Sequence, residues 1–280
     1  MKDKYTTTIK SLLLVLIPWI ILAIIFGFFD LEISKSIVDF DSPLGIFGEI
    51  WGDLPGYGLI GISASILISG HSKSIPKQKI GTLFIVIIGV IVFISGILLE
   101  YDKILFLGLC ISVSSIIFSC ITFKKDWRCY FTIALVIGLL ALLNSLIFIH
   151  VIKVLWGRVR YFDIVVLGEA YYTPWFIPAG PSIENTSFPS GHVSMAFLFL
   201  PLLIIIREKK WKSLTKVGIS SIIVAWGILI SFSRILYGPH YASDVLFSAG
   251  FTALFTIVLF QFIYLKKENF EVKMNLIRNK

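Results

Sequence analysis

The sequence predicts an all-α fold, a polytopic transmembrane helical bundle of about eight spans with the N- and C-termini cytoplasmic, and three observations carry that prediction. The chain of 280 residues is 57% hydrophobic and only 15% charged, with a mean hydropathy of +0.91, too apolar for a soluble domain and usual for a multi-spanning membrane protein. Apolar stretches near the length needed to cross a hydrocarbon core of about 30 Å recur along it. The basic residues fall in alternate connecting segments, as they do when Lys and Arg stay on the inner face.

Taken in order, the first ten residues carry Lys2, Lys4 and Lys10, and residues 11–29 read as a retained first span because no small-x-small cleavage pattern follows them. Further spans are expected over 54–70, 80–99, 104–123, 130–151, 193–206, 217–232 and 245–265. The stretches 54–70, 193–206 and 217–232 are short, and each gains residues from its flanks or fails as a full crossing. With the N-terminus inside, only Lys35, Lys103, Lys153, Arg158, Arg160 and Arg234 of the 25 Lys and Arg lie on the outer side. A seven-span arrangement would divide the polar clusters described below between two faces, or carry basic loops outside.

Residues 30–53 form an acidic outer segment with Asp30, Glu32, Asp39, Asp41, Glu49 and Asp53, and read as a solvated loop in preference to one lying along the headgroup layer. The loop 161–188 holds Tyr171, Tyr172, Pro174, Trp175, Phe176, Pro178 and Gly180, a composition that prefers the membrane interface, and is either an access lid or a structural cap. The organisation expected is an N-terminal set of helices of unassigned role over 1–129, a core over 130–265 that carries every usable motif, and a solvated inner tail over 266–280. Net charge is +8, but nucleic-acid binding needs a basic face in water and none is present. Cys110, Cys120 and Cys129 are odd in number and lack a companion His at metal spacing, so they read as buried inert thiols and no metal or other cofactor is expected.

Three polar clusters stand out against this background. Asn185-Thr186-Ser187-Phe188-Pro189-Ser190-Gly191-His192 opens an apolar run: Ser190 is placed to N-cap a helix, Gly191 lets a ligand approach the backbone, and His192 can move a proton near neutral pH. Its first three residues also fit a glycosylation acceptor pattern, a weak signal beside Pro189. Lys153 and Arg160 lie seven residues apart; if the preceding helix continues, they return to within about 20° of one face and about 10 Å along the axis, near enough to converge on one phosphate. Arg158, between them, points elsewhere and reads as a snorkelling side chain. In Ser233-Arg234-(five residues)-His240-(three residues)-Asp244, Gly238-Pro239 reads as a turn with Pro at the first helical position. His240 and Asp244 are then stacked one turn apart, so that the carboxylate accepts the imidazole N–H and leaves the other nitrogen as nucleophile or base.

Lys153-(six residues)-Arg160, Pro189-Ser190-Gly191-His192 and Ser233-Arg234-(five residues)-His240-(three residues)-Asp244 together resemble the three-part signature of the type 2 phosphatidic acid phosphatase and vanadium haloperoxidase superfamily. The resemblance covers about the second half of the chain. One position departs from it, Tyr161 standing where the family usually has Pro. The resemblance implies metal-independent hydrolysis of a phosphate ester or anhydride, with a lipid phosphate as substrate and the bilayer as surroundings. It assigns His240 as nucleophile, Asp244 as its orienting carboxylate and His192 as the acid for the leaving oxygen. Lys153, Arg160, Ser190, Gly191 and Arg234 would hold the phosphoryl oxygens. Two other readings stay open: an anion transporter or binding protein without turnover, and a phosphotransferase using the same residues.

Overall fold

The computed structural model describes residues 2–265, with side chains described over residues 12–263, so the tail expected over 266–280 lies outside the described residues. Every regular element among them is helical. In chain order these are α1 (Lys2–Ile37), α2 (Pro43–Trp51), α3 (Leu54–Ser69), α4 (Ile75–Gln78), α5 (Ile80–Leu98), α6 (Asp102–Ile121) and α7 (Phe131–Leu140). After a π-helical stretch, Ala141–Phe148, come α8 (Ile149–Trp156), α9 (Tyr161–Leu167), α10 (Gly191–Ala196), α11 (Leu202–Glu208), α12 (Ser213–Leu236) and α13 (Ala242–Leu259).

Among the described residues seven helical stretches are long and apolar enough to cross a membrane: Leu12–Ile37, Ile75–Leu98, Asp102–Ile121, Trp127–Leu167, Gly191–Glu208, Ser213–Leu236 and Ala242–Ile263. The stretch 54–70 does form a helix, α3, but with 16 residues it is about 24 Å long and short of the hydrocarbon core. The acidic segment 30–53 is not a loop. α1 runs on to Ile37 and takes in Asp30 and Glu32, and α2 forms within the rest of the segment. Ser42 starts α2: its Oγ accepts the Gly45 N–H at 3.4 Å, and Pro43 follows at a position where a missing N–H costs nothing.

The chain divides into two compact units. The first gathers, of the described residues, 2–56, 141–200 and 210–254. Its core is Val193, Ile235, Ala242 and Val245, with Phe26, Ile33, Ile37, Phe197 and Ala249 packed against them. Trp19 on α1 meets Phe247 and Phe251 on α13 edge-to-face, at 5.2 and 5.5 Å between centroids. α2 lies directly on α12. A Cβ on Gly48 would stand 1.8 Å from Ser233 Oγ, so only glycine permits this approach.

The second unit gathers, of the described residues, 57–140, 201–209 and 255–265. Its α5–α6 hairpin closes on small residues, since a Cβ on Gly96 would fall 2.3 Å from Leu105 N and one on Gly108 2.3 Å from Phe93 N. Ile66, Trp127 and Ala134 form its core. The buried Gln78 side chain accepts the Trp127 N–H at 2.7 Å and donates to Asp126 Oδ1 and Ser72 O, so a polar group away from water is fully used. Cys120 and Cys129 are exposed rather than buried. Cys120 sits near the end of an apolar helix whose outward face is itself apolar, which is how a span meets lipid.

Candidate functional site

α8 does not continue to Arg160. It ends at Trp156, and Gly157 takes the left-handed conformation (φ 59) with its N–H on Lys153 O, a glycine stop. Arg160 is instead the N-cap residue of α9. The two cations nevertheless converge, because both reach the same loop residue: Lys153 Nζ donates to Thr186 O at 2.5 Å and Arg160 Nη2 to Thr186 Oγ1 at 2.9 Å. Tyr161 occupies the first position of α9, where proline is equally at home, and its ring meets Tyr241 edge-to-face at 6.2 Å.

His240 lies before α13 rather than in it, in the turn after α12, where Gly238 has φ 90. Its Nδ1–H donates to Ser187 O at 2.7 Å, which fixes the tautomer and leaves Nε2 with the lone pair. Asp244 Oδ2 is 3.8 Å from Nδ1, beyond hydrogen-bond reach. The orienting group is thus a backbone carbonyl, and Asp244 holds the frame around it: its Oδ2 accepts the Ser187 hydroxyl and the Tyr241 N–H at 2.9 Å. Burial, with the positive charges of Lys153 and Arg234 adding to it, pushes His240 down to about 3 against the pull of Asp244, so its ring is neutral across the ordinary pH range. Ser187 is fully buried, which places the third residue of the Asn-Thr-Ser triplet inside the site.

Arg158 is not a snorkelling side chain. It is 0% exposed, and each of its donors has an acceptor: Nη1 reaches Asp244 Oδ1 at 2.6 Å and Ser243 Oγ at 2.8 Å, Nη2 reaches Asp30 Oδ2 at 2.9 Å, and Nε reaches Thr173 O at 2.9 Å. Asp30, on α1, accepts the Ser243 N–H at 2.9 Å and the Ser243 hydroxyl. Tyr241 lies 4.0 Å beneath the guanidinium. A buried arginine is thus shared by two buried carboxylates from opposite ends of the sequence.

The third group centres on α10, which has six residues. Ser190 is its N-cap residue by backbone conformation, but its side chain makes no capping bond. Its N–H donates to Asp244 O at 3.1 Å and its carbonyl accepts Ser248 Oγ at 2.6 Å, so Ser190 is held to α13 by its backbone. A Cβ on Gly191 would meet Lys153 Cε at 3.8 Å, which places this glycine beside the first cation. His192 Nε2 points to Glu49 O at 3.2 Å and Asp53 Oδ2 at 3.6 Å. The Glu49 carboxylate pairs with Arg234. The register follows from α2 packing: Gly48 lies on Ser233, so Glu49 falls beside Arg234.

All eight residues expected from the sequence, Lys153, Arg160, Ser190, Gly191, His192, Arg234, His240 and Asp244, are linked by these contacts within the first unit. Four buried polar atoms among them have no hydrogen-bond partner among the described residues: Arg160 Nε, Arg234 Nε, Arg234 Nη1 and Ser190 Oγ. Buried donors of this kind are costly unless something accepts from them, and a tetrahedral anion offers the acceptors that four such groups need. The loop 161–188 is tied down in its middle: Trp175 Nε1 donates to Ala23 O at 2.8 Å, Trp156 Nε1 donates to Trp175 O at 2.7 Å, and Trp175 stacks on Phe247 at 4.4 Å. That part of it is a structural cap.

Asp30, Glu49, Asp53, Arg158, Thr186 and Ser187 are residues of the site that motif reading passed over. Two signals pointed to some of them: an ionisable residue next to an apolar span, and the Gly48-x-x-x-Gly52-x-x-x-Gly56 spacing that marks a close-packed helix face.

Residues 134–268 match the family model of the PAP2 superfamily. The lipid A 4'-phosphatase of Francisella tularensis subsp. novicida is 34% identical over 123 residues, 42% of this chain and 52% of that protein. Phosphatidylglycerophosphatase B of Haemophilus influenzae is 30% identical over 110 residues, 38% of this chain and 44% of that protein. The chain spans about half the length of these curated relatives. No solved structure matches it. Asp30, Glu49 and Asp53 lie outside the matched residues.

Proposed function

We propose that this chain is a multi-pass membrane phosphatase of the PAP2 superfamily, whose family model residues 134–268 match. It hydrolyses a lipid phosphate or diphosphate at the outer face of the cell membrane, without a metal, through a phosphohistidine on His240. The observation that carries this reading is the set of unpartnered donors on Arg160, Arg234 and Ser190 in the same cluster as a histidine whose tautomer leaves Nε2 as the nucleophilic nitrogen. The matched relatives are phosphatases of lipid phosphates by name. Whether or not α3 crosses, the Lys- and Arg-rich segments 71–79, 122–128 and 207–216 fall on the side opposite the cluster-bearing segments, which supports an outward-facing site, and only the first ten residues change side without it.

In the first step the Nε2 lone pair of His240 forms a bond to phosphorus as the P–O bond to the lipid breaks, and His192 gives its proton to the leaving oxygen. Lys153, Arg160, Arg234, the Ser190 hydroxyl and the Gly191 backbone hold the three equatorial oxygens, whose charge is greatest in the transition state. In the second step water attacks phosphorus, His192 takes the water proton, the N–P bond breaks, and inorganic phosphate leaves with Nε2 restored. Asp244 keeps Ser187, and through its carbonyl His240, in register throughout.

The test is phosphate release in detergent from phosphatidate, phosphatidylglycerophosphate, lipid A and an isoprenyl diphosphate, comparing wild type with His240→Ala in the presence of chelator. Release from at least one lipid, lost in the variant at unchanged protein level and insensitive to chelator, is expected. No release from any of them, transfer to an acceptor other than water, or loss of activity to chelator restored by a divalent ion would overturn the corresponding part of the reading.

A further inference from the structure

His240 is oriented from within the recognised stretch, but His192 is not. Two groups from α2 and the turn after it face its Nε2: Glu49 O accepts the N–H at 3.2 Å, and the Asp53 carboxylate stands 3.6 Å away, within ion-pairing distance. Asp53 is 5% exposed and stands at the foot of α2, whose place is fixed by the contact of Gly48 with Ser233. The carboxylate of Glu49, within α2, is turned to Arg234. One short helix and the turn after it, outside the matched residues, thus deliver one acidic group to a phosphate-holding cation and another to the acid–base imidazole.

We infer that Asp53, with the carbonyl of Glu49, is the positioning residue of His192. The Glu49 carbonyl holds the ring by its Nε2–H, and the Asp53 charge beside it stabilises the imidazolium that must donate to the leaving oxygen, so that the site contains a second histidine–carboxylate pair contributed by the N-terminal part of the chain. The inference rests on the phosphatase reading above. A carboxylate facing one ring nitrogen favours the form protonated on both nitrogens and directs the other nitrogen at the reacting group. The contribution matters most when the leaving oxygen is a poor one, because an alkoxide cannot depart without a proton whereas a nitrophenolate can.

The experiment compares kcat for dodecyl phosphate, a poor leaving group, with kcat for 4-nitrophenyl phosphate, a good one, on the full chain in detergent. Asp53→Asn is expected to lower kcat for dodecyl phosphate by about tenfold or more and to change that for 4-nitrophenyl phosphate by less than about twofold, with KM little altered. His192→Ala should show the same discrimination, the double variant should lose no more than His192→Ala alone, and Asp53→Glu should restore most of the rate. Where Asp53→Asn does not accumulate, Asp53→Ser removes the charge while keeping a side chain able to cap the start of α3, and is read in the same way. Equal losses on both substrates, or none, while His192→Ala discriminates between them, would overturn the inference and leave the phosphatase reading standing. Undiminished release by His240→Ala would instead sink the phosphatase reading and this inference with it.

Discussion

Replacing Arg158 by Met tests whether the buried guanidinium is a structural necessity of the site. The side chain is 0% exposed and is shared by Asp30 at 2.9 Å and Asp244 at 2.6 Å, both themselves 0% exposed. Removing the cation leaves two carboxylates without their counter-charge, and breaking a buried pair in this way costs about 3–5 kcal/mol. Asp30→Asn is milder: Ser243 N can still donate to the remaining amide oxygen, and what is lost is a charge-assisted bond worth about 1.5–3 kcal/mol. The double variant removes one of the orphaned charges along with the arginine, so its cost should fall short of the sum of the singles by about 1 kcal/mol or more. Unfolding in mixed micelles, followed by the fluorescence of the 7 tryptophans, measures all three. An Arg158→Met variant within about 0.5 kcal/mol of wild type, or strict additivity in the double variant, would show that the guanidinium is not the shared counter-ion described here.

Vanadate should inhibit phosphate release as a tetrahedral mimic, and Arg160→Ala and Arg234→Ala should each raise its inhibition constant about tenfold or more, while Glu49→Gln, by freeing Arg234 from its internal partner, should lower it. Gly48→Ala should destabilise the protein by about 1–3 kcal/mol in the same micelle unfolding experiment, since the added methyl would meet Ser233 Oγ at 1.8 Å. His240 resists protonation until about 3, whereas in the unfolded chain it takes a proton near 6.5; the unfolded state therefore binds more protons between these values, and stability falls as pH drops through that window by up to about 1.4 kcal/mol per unit. Comparing unfolding of wild type and His240→Asn over pH 7 to 4 isolates this contribution, which should vanish in the variant.

What the sequence made legible was the set of polar groups that the fold gathers into one cluster, because their chemistry is tied to residue type. What it hid was the scaffolding, which depends on where elements end. The pairing of Lys153 with Arg160 was expected from one continuous helix; the chain breaks at Gly157, and the two meet on Thr186 instead. Asp244 was expected to accept directly from His240 because both were placed on one helix, but α13 begins at Ala242, and the shift of two residues puts Ser187 between them. Arg158 was passed over because polar neighbours from α1 and from α13 cannot be seen in a local pattern. Drawing the first span to end at residue 29 set Asp30 outside the apolar stretch, one position short of the reading that would have flagged it as a buried ionisable group.

The shared guanidinium also separates what can be recognised from what can stand alone. A fragment cut to begin near residue 134 would retain each of the three signature clusters, yet it would lack Asp30 for Arg158, Glu49 for Arg234 and Asp53 for His192. Its interior would carry surplus positive charge where the intact chain is balanced. The leading segment, silent in any motif search, therefore supplies the acidic partners of Arg158, Arg234 and His192.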